Sequence, residues 1–105
     1  VAVGFSNGAI VAAALLLMRP DLFSGAILLR PLSPFADTSQ TKKLDIPVLV
    51  IDGERDNRRL PGGGHRLAQR LSQVGAVVDH HVLPVGHAIT AQDCRIARKW
   101  LEPLL

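Results

Sequence analysis

The strongest limit on the fold of this chain comes from short apolar runs that do not alternate with polar residues. Three such runs have the length of a strand: residues 1–5, 25–30 and 47–52. A strand with one face in water alternates polar and apolar side chains, whereas a strand covered on both faces does not. A fourth strand is predicted over Val77–Leu83. Together these strands indicate a parallel sheet with helices on both faces.

Helical patterns lie between the strands. Asn7–Met18 is rich in Ala and Leu, is apolar on nearly every side and ends before Pro20, so it predicts a buried helix. Residues 66–74 carry apolar side chains at helical spacing. Thr90 opens a capping-box sequence, with an aspartate three residues later, and predicts a last helix. The apolar face of that helix consists of Ile96, Ala97, Trp100 and Leu101.

The order of these elements predicts the topology. Residues 31–46, which contain prolines, serines and lysines, are predicted to form a loop. The chain has 105 residues, of which 48% are hydrophobic and 20% are charged, as is usual for one packed domain. The predicted fold class is therefore α/β, a parallel four-stranded sheet with flanking helices in one domain over residues 1–105. Right-handed crossovers fix most of the connections.

Composition excludes several classes of function. The net charge is +3, but the basic residues are scattered and the chain has no Tyr and one Trp for base stacking, so no nucleic-acid partner is predicted. The longest apolar run, residues 9–18, is shorter than the roughly 20 residues of a membrane span. The first residues show no signal-peptide pattern, and the single cysteine, Cys94, allows no internal disulfide. These observations predict a cytoplasmic location.

A serine between two glycines is the first feature that carries chemistry. Gly4 to Gly8 form a G-x-S-x-G motif between a predicted strand and a predicted helix, which is the context of a nucleophile elbow. A sharp turn there exposes the hydroxyl of Ser6 at the start of the helix. The helix dipole and the backbone N–H of Asn7 can then stabilise an oxyanion. The alternative is a glycine-rich turn around an ordinary serine.

An acid follows the third predicted strand. In an open parallel sheet, ligands bind beyond the carboxyl ends of the strands, and Asp56 lies just past such an end. A carboxylate there can accept a hydrogen bond from a histidine and fix its tautomer. Asp52, still within the strand, and Glu54, early in the turn, are the competing acids. We predict that Asp56 is the acid of the site.

A histidine follows the fourth predicted strand in the same way. His87 comes after Gly86, which allows a tight turn that returns the imidazole towards the serine. His65, His80 and His81 lie at a helix start or inside a strand and are predicted to be structural or solvated. The spacing of His, Cys and acidic residues fits no metal site, and none is predicted.

Serine, acid and histidine in this order, each after a successive strand, follow the order of α/β-hydrolases. The sequence resembles the phospholipase/carboxylesterase group of that superfamily, which is related to dienelactone hydrolases, from the nucleophile elbow through the C-terminal half. The matching stretches are VAVGFSNGA, DLFSGAILLRPLSPF, IPVLVIDGERDNRRLP and GAVVDHHVLPVGHAIT, with the helices between and after them. The resemblance implies that Ser6 is the nucleophile, His87 the base and then the acid, and Asp56 the group that orients the histidine.

Two departures from the family pattern stand out. Residues 62–64 are glycines where the family has better helix formers, so the second helix is expected to begin late and fray. These glycines lack the Lys and Ser/Thr of a phosphate-binding loop. Family members also have strands before the nucleophile strand, one of which is followed by a loop with a second oxyanion amide. Asn7 is therefore the only oxyanion donor that the sequence names.

The predicted function is a serine carboxylesterase that hydrolyses small, short-chain acyl esters and needs no cofactor. Dienelactone hydrolases use a cysteine nucleophile, and the serine at position 6 favours ordinary esters instead. The alternatives are a non-catalytic remnant of an α/β-hydrolase and a thioesterase or lysophospholipase of the same fold. The sequence starts within its first predicted strand, which leaves one strand edge unpaired beside an apolar helix. A homo-oligomer with an interface over residues 1–18 is predicted for that reason.

Overall fold

A computed structural model describes residues 1–32, 43–59 and 62–105. Four strands form one sheet in the order β1-β2-β3-β4, and every neighbouring pair is parallel. The strands are β1 (Ala2–Phe5), β2 (Ala26–Leu29), β3 (Pro47–Gly53) and β4 (Val77–Leu83). The helices are α1 (Asn7–Met18), α2 (Gly63–Gln73) and α3 (Ala91–Leu101), with 3-10 turns at Pro20–Leu22 and Glu102–Leu104. The predicted parallel four-stranded sheet with flanking helices is confirmed.

The two central strands are buried on both faces, as their continuous apolar sequences predict. Alternate residues of β2 and β3 contribute to two separate cores. One core contains Leu28, Val48 and Val50 together with residues of α1 and α2, and the other contains Ile27, Leu29, Leu49 and Ile51 under α3. Of the predicted apolar face of α3, Ile96, Ala97 and Trp100 pack on the second core.

The prediction of a buried first helix holds for one face of α1 only. Ala9, Ala13 and Leu16 are fully buried, whereas Val11 and Met18 are 58% and 65% exposed. Because the helix is apolar on every side, its sequence does not show which side packs against the sheet. The prediction that the whole helix is buried was therefore too broad. Val3 of the edge strand β1 is 66% exposed as well. The uncovered apolar surface therefore spans both β1 and α1.

The second helix begins earlier than predicted. It starts at Gly63 instead of residue 66, after Gly62 in the left-handed conformation with φ of 79°. A Cβ on Gly64 would lie 2.0 Å from the carboxylate oxygens of Asp52, and a Cβ on Gly63 would lie 2.3 Å from Leu32. The expected late start is wrong because tight packing holds the glycines in the helix despite their low helix propensity.

The remaining boundaries differ from the predictions by a residue or two. Thr90 and Asp93 form the predicted capping box at the start of α3. In the predicted loop, residues 31–32 and 43–46 belong to no helix or strand, and residues 33–42 lie outside the described part of the chain. Among the described residues, no helix has both the length and the apolar character needed to cross a membrane.

Candidate active site

Ser6 occupies the sharp turn between β1 and α1. Its φ of 57° and ψ of −118° lie in a region that residues with a side chain rarely adopt. Gly4 makes the turn feasible, because a Cβ at that position would lie 2.6 Å from the carbonyl oxygen of Gly8. At Gly8 itself a Cβ would meet nothing within 4 Å, so packing requires only the first glycine of the motif. The conformation is that of a nucleophile elbow.

A chain of hydrogen bonds joins the three residues that the sequence singled out. His87 Nε2 lies 3.0 Å from Ser6 Oγ, and His87 Nδ1 lies 2.8 Å from Asp56 Oδ2. The side chains of His87 and Asp56 are 13% and 3% exposed, which shields both bonds from water. When the Nδ1–H donates to the carboxylate, Nε2 is free to accept the serine hydroxyl proton. The carboxyl ends of β1, β3 and β4 supply these three groups.

The charge of Asp56 is favoured in this setting. Burial raises the pKa of its carboxyl. Hydrogen bonds from His87 and the backbone N–H of Arg58, with the positive charge of Arg59, outweigh burial, so the pKa lies below its ordinary value. Asp56 is therefore a carboxylate at neutral pH and can stabilise a protonated His87.

The competing acids and histidines lie away from Ser6. Asp52 lies 2.5 Å from His80 Nε2 on the side of the sheet covered by α2, and His80 is tilted against the ring of His65. Glu54 is exposed. His81 lies 3.1 Å from Asp79 at a more exposed position of β4. The structure thus brings Ser6, Asp56 and His87 together and leaves these acids and histidines outside the chain of hydrogen bonds.

Asn7 is the first residue of α1, and the N–H groups of a first helical turn have no intrahelical partner. Its backbone amide, directly after Ser6, is therefore available to an oxyanion formed on the serine. Phe5, on the other side of Ser6, lies with its ring centroid 5.2 Å from that of His87. The two rings are tilted at 39° to each other.

A buried ion pair behind His87 was not predicted. The Arg30 side chain is fully buried and forms a bidentate pair with Asp93, with N–O distances of 2.7 and 2.8 Å. Arg30 also donates to the carbonyl oxygens of Gly86 and Ala88, both at 3.0 Å, on either side of His87. Local patterns identify Arg30 only as the end of a strand and Asp93 only as part of a helix cap, because nothing local shows that they meet.

A second arginine contacts the serine directly. Arg59 Nη2 donates to Ser6 Oγ at 2.7 Å, and Arg59 Nε donates to the carbonyl oxygen of Arg30 at 2.9 Å. Sequence reasoning missed this residue. The signal available was a pair of arginines in the loop that carries Asp56, but the direction of a loop side chain is not encoded in a local pattern.

A cavity of about 250 Å³ lies beside Asp56 and Arg59, and neither Ser6 nor His87 lines it. Its wall includes Asp52, Glu54, Asp56, Arg59, His65 and His80. No group of three or more His, Cys, Asp or Glu side chains in the described residues is arranged to hold a metal ion.

Comparison with known proteins supports the family resemblance. No protein-family model matches the chain. It is 32% identical over 102 residues to the putative hydrolase MhqD of Bacillus subtilis (strain 168), covering 97% of this chain and 51% of that protein. Among solved structures, the carboxylesterase of Bacillus cereus matches with a TM-score of 0.93 and 26% identity, over 100% of this chain and 50% of that one. The carboxylesterase of Mesorhizobium loti matches with a TM-score of 0.87 and 35% identity, over 95% and 47%.

The chain spans about half the length of each of these relatives. Its four parallel strands and flanking helices correspond to a truncated α/β-hydrolase fold, and the residues of the elbow, the acid loop and the histidine loop lie within the matched part. The chain therefore has the fold of the C-terminal half of an α/β-hydrolase, and the resemblance to carboxylesterases that its sequence indicated is confirmed over the matched half.

Proposed function

We propose that this protein is a serine carboxylesterase that hydrolyses small, short-chain acyl esters. The observation that carries the proposal is the continuous chain of hydrogen bonds from Asp56 through His87 to Ser6 Oγ. The comparisons support the proposal because two of the similar solved structures are carboxylesterases. Because the chain spans only half the length of those proteins, the activity is proposed for the whole protein to which this chain belongs.

The reaction proceeds in two acyl transfers. His87 Nε2 accepts the hydroxyl proton as Ser6 Oγ attacks the ester carbonyl carbon, and the backbone N–H of Asn7 stabilises the resulting oxyanion. His87 returns the proton to the departing alcohol, which leaves an acyl-enzyme on Ser6. Water then attacks the acyl carbon as His87 accepts its proton, and the acid is released when Ser6 regains that proton.

Each residue has one task in this sequence. The strained backbone of Ser6 presents its hydroxyl at the positive end of α1. Asp56 holds the tautomer of His87 and stabilises the imidazolium that forms twice per turnover. Arg30 holds the carbonyl groups on both sides of His87 and acts as a positioning residue for the histidine. None of these steps requires a cofactor.

The experiment combines turnover with labelling. Purified protein is assayed with p-nitrophenyl acetate before and after treatment with a serine-directed organophosphate, and the modified peptide is identified by mass spectrometry. We expect turnover, inhibition and modification at Ser6. Ser6→Ala should abolish both turnover and labelling, while Ser24→Ala, at an exposed serine outside the site, should leave both intact.

Absence of both turnover and labelling in a folded protein would contradict the esterase proposal and favour a non-catalytic remnant. Faster hydrolysis of an acyl thioester or a lysophospholipid than of p-nitrophenyl acetate would instead assign the same residues to a thioesterase or lysophospholipase.

A further inference from the structure

Arg59 places a positive charge against the proposed nucleophile. Its Nη2 donates to Ser6 Oγ at 2.7 Å, a distance shorter than the 3.0 Å between that oxygen and His87 Nε2. The serine oxygen can accept from Arg59 while its own hydrogen points to His87, so the two bonds are compatible. The described structure therefore holds a guanidinium beside the position that an ester carbonyl would occupy.

The charge of this guanidinium is not matched by a carboxylate of the described residues. No salt bridge among those residues includes Arg59, whose three hydrogen bonds run to a hydroxyl and to the carbonyl oxygens of Arg30 and Arg58. The positive charge of Arg59 helps to lower the pKa of Asp56. That carboxylate, however, already accepts hydrogen bonds from His87 and from the backbone N–H of Arg58. A guanidinium has five N–H donors, so two remain for a ligand.

The side on which an anion would bind follows from the surrounding charges. Beyond Arg59, the cavity wall carries the acidic residues Asp52 and Glu54, which disfavour an anion there. On the Ser6 side, the positive end of α1 and the partly buried guanidinium both attract one. Arg59 Nη2 lies 2.7 Å from Ser6 Oγ, the atom that attacks the carbonyl carbon.

A purely structural role for Arg59 accounts for only part of these contacts. The bonds from Nε and Nη1 to backbone carbonyls fix the loop after β3, and a neutral donor could supply them. The third bond brings the charged group to the serine. Partial burial there costs desolvation of a cation that no carboxylate of the described residues pairs with. A ligand carboxylate would supply that missing partner.

We propose that Arg59 forms a carboxylate subsite beside Ser6, and that the enzyme prefers short esters whose acyl part ends in a carboxylate. This inference rests on the proposed esterase function. A carbonyl carbon about 3 Å from Oγ leaves room for one or two methylene groups between it and a carboxylate on Arg59. Monoesters of short dicarboxylic acids have this form. Hydrolysis would consume one water and release the alcohol, the dicarboxylate and one proton.

The test compares two esters of matched length on the purified full-length protein. Methanol release from monomethyl succinate and from methyl butyrate gives the ratio of their kcat/KM values at neutral pH. We expect wild type to prefer the anionic ester. Arg59→Gln should lower the ratio by about 10- to 100-fold, the usual value of a hydrogen bond to a charged group. Arg59→Lys, which keeps the charge, should restore part of it.

Arg55→Gln is the matched control. This arginine is exposed and lies in the same loop after β3, outside the residues assigned to the site. Its ratio should stay within about twofold of wild type. An Arg59→Gln variant that loses activity on both esters equally would overturn the inference and leave the esterase function standing.

A wild-type protein that hydrolyses neither ester would contradict the proposed function, and the subsite is then tested by binding alone. Calorimetric titration with succinate should show binding to wild type and to Arg55→Gln, and loss of binding in Arg59→Gln. Equal binding by all three proteins, or binding by none, would overturn the subsite.

Discussion

Of the three histidine–carboxylate pairs in the described residues, the two more buried ones lie on the same sheet, and only one of these two is joined to a serine. His80 and Asp52 lie 2.5 Å apart, and His87 and Asp56 lie 2.8 Å apart, so each pair has the chemistry of a general base. His87 Nε2 reaches Ser6 Oγ, whereas the ring of His80 faces another histidine. A paired imidazole is therefore not a site by itself, because the position of its second nitrogen decides what it can do.

The register of the sheet explains the difference. His80 is opposite Val50 in the pairing of β3 and β4, and Asp52 lies two residues further along β3 on the same face. That face is covered by α2, whose first residues pack against the Asp52 carboxylate. His87 and Asp56 lie beyond the ends of β4 and β3, at the edge of the sheet where the turn that carries Ser6 also lies.

The largest expected effect tests which pair is catalytic. Ser6→Ala and His87→Ala should each lower kcat for p-nitrophenyl acetate by up to about 10⁶-fold, and the double variant should be little worse, because the residues act as one unit. His80→Ala should retain most of the wild-type kcat. Losses in Ser6→Ala and His87→Ala that multiply in the double variant would contradict the shared role.

The acids give the next comparison. Asp56→Asn should lower kcat by about 10⁴-fold, less than removal of the nucleophile, because it disturbs the tautomer of His87 and leaves the serine in place. Asp52→Asn and Glu54→Gln should retain activity. Steady-state kinetics on the three purified variants measures this order. A greater loss in Asp52→Asn than in Asp56→Asn would assign the acid to the other pair.

The buried Arg30–Asp93 ion pair supports the loop that carries His87, and its removal should affect both stability and activity. Arg30→Met leaves the Asp93 carboxylate buried without its cationic partner and should lower the free energy of unfolding by about 3–5 kcal/mol in urea denaturation. It should also lower kcat, because the carbonyl groups beside His87 lose their donors. Arg30→Met combined with Asp93→Leu removes both charges and should recover part of the stability but not the full kcat. Recovery of both would limit Arg30 to a structural role.

A fall in pH should reduce the contributions of both Asp56 and Asp93 to the stability of the fold. Burial raises the pKa of Asp93, but its bonds to Arg30 and Thr90 outweigh burial, so its pKa, like that of Asp56, lies below the ordinary value. Carboxyls of this kind stabilise the fold above their unfolded pKa of about 3.9, and the contribution is lost as pH falls through the lower folded value.

Urea unfolding between pH 7 and pH 3 measures this loss. The free energy of unfolding should fall below about pH 4 in wild type. Asp93→Asn should be less stable at pH 7 and should show a smaller fall, and Glu54→Gln, at an exposed acid, should follow wild type. A fall of the same size in Asp93→Asn would mean that other groups cause it.

The smallest expected effect concerns the uncovered end of the sheet, next to Ser6 and away from His80. Val3, Val11 and Met18 are exposed, and in the described residues β1 pairs only with β2. We expect a second copy to cover residues 1–18, with light scattering at micromolar concentration as the measurement. Val11→Glu should shift the mass towards the monomer, while Val77→Glu, at an exposed apolar position of β4, should not. A monomeric and active wild type would contradict this assembly.

Local sequence patterns predict most of the fold. The apolar runs, the capping box at Thr90 and the position of Pro20 predict four strands and the helices between them, because burial and backbone geometry act over a few residues. Ser6, Asp56 and His87 each follow the end of a predicted strand. Their positions therefore predict that they meet at one edge of the sheet. A parallel sheet places its carboxyl ends together whatever the loops contain.

Other features depend on partners that are distant in sequence. The early start of α2 follows from the contact between Gly64 and Asp52, and the burial of Arg30 follows from Asp93, 63 residues away along the chain. The contact of Arg59 with Ser6 joins loops that are 53 residues apart. The sequence by itself determined the order of the elements and the edge at which the candidate residues meet. Only tertiary packing decided which charged side chains support them, since a long side chain takes its direction from its neighbours in space.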